Sequence, residues 1–218
     1  MKAKGKVKLQ WTSGLAYAVG LLTTDGNLSP DGRHISFTSK DLELARKLQS
    51  GLGIAEHIGK KGNGANKLLK KYYVVQFSDK LFYQFLLQLG LMPNKTKKMR
   101  QLAIPDKYFF HFLRGHFDGD GSTYSYYDKR WPDSYMVYTT FCSASQPHIL
   151  WLKHVIEQKL GITGHITKSQ GNSCYQLKYA KTESLLLVAK LYKTKTVLYL
   201  TRKYLKIQRA FAILGKRI

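Results

Sequence analysis

The feature that most constrains this chain is an internal repeat. Gly14-Leu15-Ala16-Tyr17-Ala18-Val19-Gly20-Leu21-Leu22-Thr23-Thr24-Asp25-Gly26 can be laid on Phe109-Phe110-His111-Phe112-Leu113-Arg114-Gly115-His116-Phe117-Asp118-Gly119-Asp120-Gly121. Gly20, Asp25 and Gly26 then fall on Gly115, Asp120 and Gly121, each 95 positions further on. A unit that recurs with its landmarks in order is one supersecondary structure used twice.

The elements after each motif are also shared. His34-Ile35-Ser36-Phe37-Thr38 in the first copy, and Ser122–Tyr127 with Tyr135–Cys142 in the second, alternate polar and apolar residues as half-buried strands do. Pro30-Asp31-Gly32 supplies a turn. Polar openings at Ser39-Lys40-Asp41 and Ser143-Ala144-Ser145 start amphipathic helices that stop at Leu52-Gly53-Ile54 and Leu160-Gly161-Ile162. Second hairpins come next, around Gly62-Asn63-Gly64 and Gly171-Asn172. Their return strands, Tyr72–Ser78 and Cys174–Tyr179, lead into leucine-rich helices at Leu81–Leu91 and Ser184–Tyr192, and Lys95-Thr96-Lys97 matches Lys193-Thr194-Lys195. Each half therefore reads α-β-β-α-β-β-α, an α+β tandem repeat. The expected division is residues 1–98, a linker over 99–107 containing Pro105, and residues 108–218.

Composition says what the repeat meets. Lys+Arg 36 against Asp+Glu 13 gives a net charge of +23, a field that draws polyanions. The charge is shared between two apolar-rich halves, so neither is a disordered basic tail. No apolar run is long enough for a membrane span. The run Gly14–Leu22 behind the basic N-terminus lacks the cleavage pattern of a signal peptide. Two cysteines, Cys142 and Cys174, make neither a disulfide framework nor a zinc site. An intracellular protein is expected, in a prokaryotic cytoplasm or an organelle matrix.

In the motif helices, Ala16, Gly20 and Thr24, and likewise His111, Gly115 and Gly119, are four residues apart and share a face. Small residues there let two helices approach closely, although His111 breaks the ridge at one end. Asp25 and Asp120 sit where these helices end, against the negative end of the helix dipole. Side-by-side helices would also bring the two carboxylates near each other, which disfavours ionisation. A divalent cation removes both penalties, and carboxylates, backbone carbonyls, water and phosphate suit Mg²⁺. Such an ion can polarise a scissile phosphate and activate water.

These residues resemble the LAGLIDADG homing endonucleases in their single-chain, two-motif form. Leu113-Arg114-Gly115-His116-Phe117-Asp118-Gly119-Asp120-Gly121 matches well. Ala18-Val19-Gly20-Leu21-Leu22-Thr23-Thr24-Asp25-Gly26 departs from the family at Thr23, where an earlier acidic residue is common. The resemblance covers nearly the whole chain. It implies a pseudo-twofold fold with two saddle-shaped antiparallel sheets in the DNA major groove and the motif helices at the interface. It implies site-specific double-strand cleavage of a long DNA target with short 3′ overhangs, by a monomer, in the setting of intron homing. It makes Asp25 and Asp120 catalytic metal ligands, assisted by the carbonyls of Thr24 and Gly119. Mg²⁺ or Mn²⁺ would support cleavage, and Ca²⁺ would bind without supporting it. The family's site lysines fall on Lys95 and Lys193, with Lys97 and Lys195 as rivals. Ser39, Ser143 or Ser145 could orient water or simply cap helices.

If the sheets lie on DNA, residues opposite the core should read base edges. With Ile35 and Phe37 inside, the DNA face holds Asn27, Ser29, His34, Ser36 and Thr38 in the first copy. In the second it holds Ser122, Tyr124, Tyr126, Tyr138 and Thr140. Lys61, Gln76, Gln176 and Lys178 come from the second hairpins, and Asp128–Asp133 forms a longer loop that could track the backbone. A one-residue slip would swap every face. Two alternatives stay open on the same fold: an intron RNA maturase and a non-cleaving DNA-binding regulator. Retention of both acids weighs against each.

Overall fold

Thr12 opens the first helix, α1 (Ser13–Asp25), by accepting the Leu15 N–H at 3.0 Å. Every residue from Leu15 to Thr23 is buried, as expected of a helix that is apolar on all sides. The rest of the first copy is β1 (Gly26–Leu28), β2 (His34–Ser39), α2 (Leu42–Leu52), β3 (Ile58–Lys61), β4 (Tyr72–Ser78) and α3 (Lys80–Gln88). The second copy runs α4 (Phe109–Asp120), β5 (Ser122–Tyr127), β6 (Tyr135–Ser143), α5 (Gln146–Leu160), β7 (His165–Lys168), β8 (Tyr175–Tyr179) and α6 (Lys181–Tyr192), followed by α7 (Thr201–Ile213). This computed structural model describes residues 5–62, 71–168, 173–193 and 198–217. The turn residues Asn63, Gly64, Gly171 and Asn172, and Lys195, lie outside the described residues.

The two sheets have one topology. Their strand orders are β1-β2-β4-β3 and β5-β6-β8-β7, and every pairing is antiparallel. The α+β tandem repeat expected from the sequence is therefore present, with α7 added after the second copy. Helices α2 and α5 both stop at a glycine in the left-handed region, Gly53 (φ 65°) and Gly161 (φ 63°), where a Cβ would be strained.

Side-chain parity follows the sequence pattern. In the first sheet Leu28, Ile35 and Phe77 lie in one cross-strand row, and Phe37 and Val75 in the next, all buried. In the second, Val137, Thr139, Phe141, Leu177 and Tyr179 take the inner positions. Asp79 anchors the start of α3 and the N-terminal segment together. Its carboxylate accepts from Phe82 N, Lys6 N and Val7 N at 2.6–2.9 Å.

The contacts divide into two compact units. One comprises Met1–Lys95 and Leu102–Gly119, the other Thr96–Gln101 and Asp120–Ile218. Helix α4, as far as Gly119, thus packs within the first unit. In the second unit, Ser145 Oγ donates to Met99 O and the His148 ring nitrogen Nδ1 bonds Arg100 O at 2.8 Å, so the joining stretch docks on the start of α5. No helix among the described residues is long and apolar enough to cross a membrane.

Candidate acidic sites and nucleic-acid interface

The first unit holds the helix pair on which the site is built. A Cβ placed on Gly20 would lie 2.1 Å from Phe112 O, and one on Gly115 would lie 2.0 Å from Tyr17 O. Contacts under 3.0 Å are not seen for real Cβ atoms, so α1 and α4 touch backbone to backbone at these two glycines. Tyr17 donates its hydroxyl to Asp118 Oδ2 at 2.7 Å in the buried interior, and the Arg114 guanidinium lies over the Tyr17 ring at 5.9 Å. The sequence alone does not single out Asp118 or Arg114. Asp118 does stand where the resemblance makes an earlier acidic residue common, the place that Thr23 takes in the first motif, whereas Arg114 carries no signal beyond its charge inside a mostly apolar helix. Burial and the Arg114 charge depress the pKa of His111, which keeps that ring neutral beside the guanidinium.

α1 ends by delivering Asp25. Gly26 N bonds Leu22 O across the helix end, and Asp25 is left half-buried with Oδ2 3.2 Å from where a Gly119 Cβ would stand. The same Cβ would meet Thr24 Oγ1 at 2.0 Å, so only glycine at 119 leaves room for Thr24 and the carboxylate. Thr24 Oγ1 is bonded to Leu21 O at 2.9 Å. Lys95, buried on a short 3₁₀ turn (Lys95–Lys97), donates its ammonium to Thr24 O at 3.0 Å. A carboxylate, its neighbouring carbonyl and a buried lysine therefore converge at the end of α1.

In the second unit Asp120 is exposed at the end of α4. A lysine of α7 reaches the residue that follows it. Lys193 lies exposed at the end of α6. Lys203, in the first turn of α7, donates its ammonium to Gly121 O at 2.6 Å. The Cys142 thiol registers the surrounding charges. Burial pushes its pKa up to about 11, Cys174 and the Asp120 carboxylate add to the rise, and Lys203 opposes it. The Cys174 pKa is also raised, first by burial and then by Asp120, while its hydrogen bond with Cys142 opposes the rise. Ser39 and Ser143 play matching local parts, each accepting at 3.1 Å from the backbone N–H two residues on, Asp41 N and Ser145 N.

The donor set suits a hard divalent cation. Asp25 and the last-turn carbonyls of α1, like Asp120 and those of α4, are oxygen donors at helix ends where backbone carbonyls lack intrahelical partners. Among the described residues no three His, Cys, Asp or Glu side chains converge to hold a metal by themselves. An ion at either acid would therefore need oxygens from water or phosphate to complete its shell.

Both sheets leave one face open, opposite the helices. In the first, Asn27, Ser36 and Gln76 form one cross-strand row, His34 pairs with Ser78, Thr38 with Val74 and Lys61 with Tyr72. Ser29 follows β1, bonded to His34 O. In the second, Ser122, Thr140 and Lys178 form a row, Tyr124 pairs with Tyr138 and Tyr126 with Met136, and Cys142 with Gln176. Thr140 is buried on that face, against the expectation that it reads DNA, and its hydroxyl lies 2.7 Å from Ser122 Oγ. Val74, Ser78, Met136, Cys142 and Thr167 share these faces, although they are not among the residues expected from sequence to read DNA.

A model of LAGLIDADG-like domains matches the chain over residues 15–90 and again over 108–209. The chain belongs to this family. Its two LAGLIDADG repeats each contain one motif helix, one four-stranded sheet and one of the two terminal acids. Among curated proteins no sequence match is found. The fold of the LAGLIDADG chain is similar to that of the homing endonuclease I-LtrWI bound to target DNA. There the TM-score is 0.59 at 11% identity, over 93% of this chain and 91% of the other. It is also similar to I-SmaMI bound to uncleaved DNA in the presence of calcium ions (TM-score 0.61, 12% identity, 94% and 91% covered). Full-length DUF199/WhiA from Thermatoga maritima shares the fold at a TM-score of 0.55 and 13% identity, over 95% and 69%.

Proposed function

We propose that this LAGLIDADG chain is a site-specific endonuclease that makes a double-strand break, with short 3′ overhangs, in a long DNA target. The observation that carries this reading is the repeated constellation of an aspartate at a helix end and a lysine ammonium on an adjacent carbonyl. Asp25 has Lys95 at Thr24 O, and Asp120 has Lys203 at Gly121 O. Beside each constellation a strand begins whose open face carries polar side chains, in a chain of net charge +23. That charge draws a duplex, and basic groups outside the strands hold its phosphates.

In this reading each acid serves one DNA strand. Asp25 with the Thr24 carbonyl, and Asp120 with the Gly119 carbonyl, would hold Mg²⁺ or Mn²⁺, and Ca²⁺ would be held without cleavage. Bound there, the ion supplies charge neutralisation at the phosphate and a more acidic water. Lys95 and Lys203 place a fixed positive charge where negative charge grows on the phosphoryl oxygens. Lys95 is buried and held at the Thr24 carbonyl, so its ammonium is positioned before DNA arrives. The exposed open-face residues, among them Asn27 and Gln76 in the first sheet and Ser122 in the second, read base edges, whereas Thr140, buried under Ser122, does not.

The test is selection of cleaved duplexes from a randomised library with Mg²⁺, using Asp25→Asn and Asp120→Asn as controls. The wild type is expected to cut both strands. Each single variant is expected to bind the same duplex without double-strand cutting. Full double-strand cleavage by either variant refutes the assignment. Sequence-specific binding without a break in Mg²⁺ or Mn²⁺ refutes the nuclease activity and leaves a DNA-binding protein.

A further inference from the structure

Measured from its motif aspartate, each copy's first hairpin reaches a different distance. In the first copy the last cross-strand bond joins Ser29 N to His34 O, and Ser29 lies four residues after Asp25. In the second, β5 and β6 pair out to Tyr127 opposite Tyr135, and Asp128 N then bonds Ser134 O at 2.9 Å, eight residues after Asp120. The four additional residues per strand lengthen the sheet by about 13 Å at roughly 3.3 Å per residue. That is the length of about three to four base pairs at roughly 3.4 Å each.

The extension is a built structure. Its tip is closed by Trp131 N on Asp128 O and Ser134 N on Trp131 O, and Arg130 is paired with Asp128 at 3.2 Å. Tyr135 donates to Ser125 Oγ at 2.7 Å across the strands. Beneath it, Tyr135 and Val137 pack on Ala210 of α7 and on Leu214. The described residues of the first copy contain no counterpart of α7, so this helix supports the part of the hairpin that the first copy lacks.

The open face of the extension is aromatic and basic. Tyr126 stands opposite Met136 and stacks in parallel with Tyr124 and Tyr138, the centroids 6.5 and 6.1 Å away. At the tip Lys129 and Arg130 are exposed, and Trp131 is 69% exposed. An exposed apolar surface on a hairpin braced by α7 marks an interaction site, and its basic rim favours an anionic partner. The extension continues the face that carries Ser122, Tyr124 and Tyr138, so the same duplex would cover it.

We propose that the second copy reads a half-site three to four base pairs longer than the first, with Tyr126 and Met136 contacting the outermost bases. The apolar ring edge and thioether suit thymine methyl groups, and Lys129 and Arg130 reach the flanking phosphates. This rests on the DNA-cutting reading above.

Duplexes bound by the full chain are selected from a randomised library, and the specified positions are counted on each side of the break made in Mg²⁺. The selection is repeated with Tyr126→Ala/Met136→Ala. The break is expected to lie three to four base pairs nearer one end. The variant should lose specification at the far end alone and bind the wild-type target about 10- to 100-fold more weakly. A central break, or a variant that keeps every specified position, overturns the inference and leaves the nuclease reading intact. Specific binding without a break refutes the nuclease reading, and the variant's effect on the specified positions then decides the inference alone. Absence of specific binding overturns both. If the double variant melts below the wild type, Tyr126→Ser alone, at a side chain 46% exposed, gives the same readout.

Discussion

Replacing Gly115 with alanine tests the contact on which the first site is built. The new Cβ would stand 2.0 Å from Tyr17 O, 2.9 Å from Tyr17 C and 3.2 Å from the Gly20 Cα. Ordinary contact begins near 3.4 Å, so backbone must retreat by about 1.4 Å, and no rotamer change can absorb a collision with a carbonyl. A gap of even ~1 Å forfeits up to half of each van der Waals contact it opens. The pair that meets at Tyr17, Gly20, Phe112 and His116 would lose packing along its length. Overpacking costs about 1–3 kcal/mol and more where only backbone can move. Alanine returns about 1 kcal/mol of helix propensity. The net loss is therefore about 2 kcal/mol or more, a fall in Tm of about 4–8 °C for a chain of this size. Thermal unfolding by circular dichroism measures it. Gly20→Ala should behave alike, since its Cβ would meet Phe112 O at 2.1 Å. Gly59→Ala, with nothing nearer than Val74 O at 3.8 Å, should leave Tm unchanged. A Gly115→Ala protein that melts at or above the wild-type temperature refutes the close-packed helix pair.

Lys203→Met should slow cutting of the strand served by Asp120 by about 10²- to 10³-fold, the usual effect of removing one preorganised donor, so that nicked circular plasmid accumulates. Lys193→Met should cut as the wild type does, and a slow Lys193 variant beside a fast Lys203 variant would reverse the assignment. In the β1–β2 turn, hydrogen bonds from His34 hold the Asp31 pKa down to about 2. Because the folded value is depressed, the pair's contribution is complete above the ordinary carboxylate range near ~4 and is lost as pH falls through about 2. An NMR titration of the Asp31 carboxyl carbon checks this, and a midpoint near 4 would show that the contact does not hold in solution.

The parts of this fold legible in the sequence are those set by periodicity and by size. Alternation around Ile35 and Phe37 set the face of each β2 residue, and the cross-strand rows Asn27–Ser36–Gln76 and, in the second sheet, Ser122–Thr140–Lys178 join residues expected to share a face. Gly20 and Gly115 were legible because a backbone contact admits no side chain. The polar partners were not legible, because periodicity carries no information about which distant side chain meets a buried group. Tyr17 finds Asp118 across 101 residues, and Lys203 finds Gly121 O across 82.

That difference explains why the two copies agree in one part of the site and diverge in another. A Cβ at Gly20 or Gly115 meets main-chain atoms that cannot move without moving the helix, so the glycine must recur at the same place in each motif. An ammonium is held to a different standard. It sits on a flexible four-carbon stem, and its Coulombic effect depends on distance from the phosphate, with no dependence on the element that carries it. Lys95 arrives from a 3₁₀ turn near the end of the first copy, and Lys203 arrives from α7, the helix that also supports the longer hairpin through Ala210 and Leu214. One added helix thus supplies an ammonium at the carbonyl after Asp120 and the footing for the longer hairpin, which the proposals above make a catalytic charge and a longer reading surface. Truncating α7 should therefore impair cutting and shorten the specified target together. Lys203→Met separates the two effects, because it removes the charge and leaves the packing of Ala210 in place.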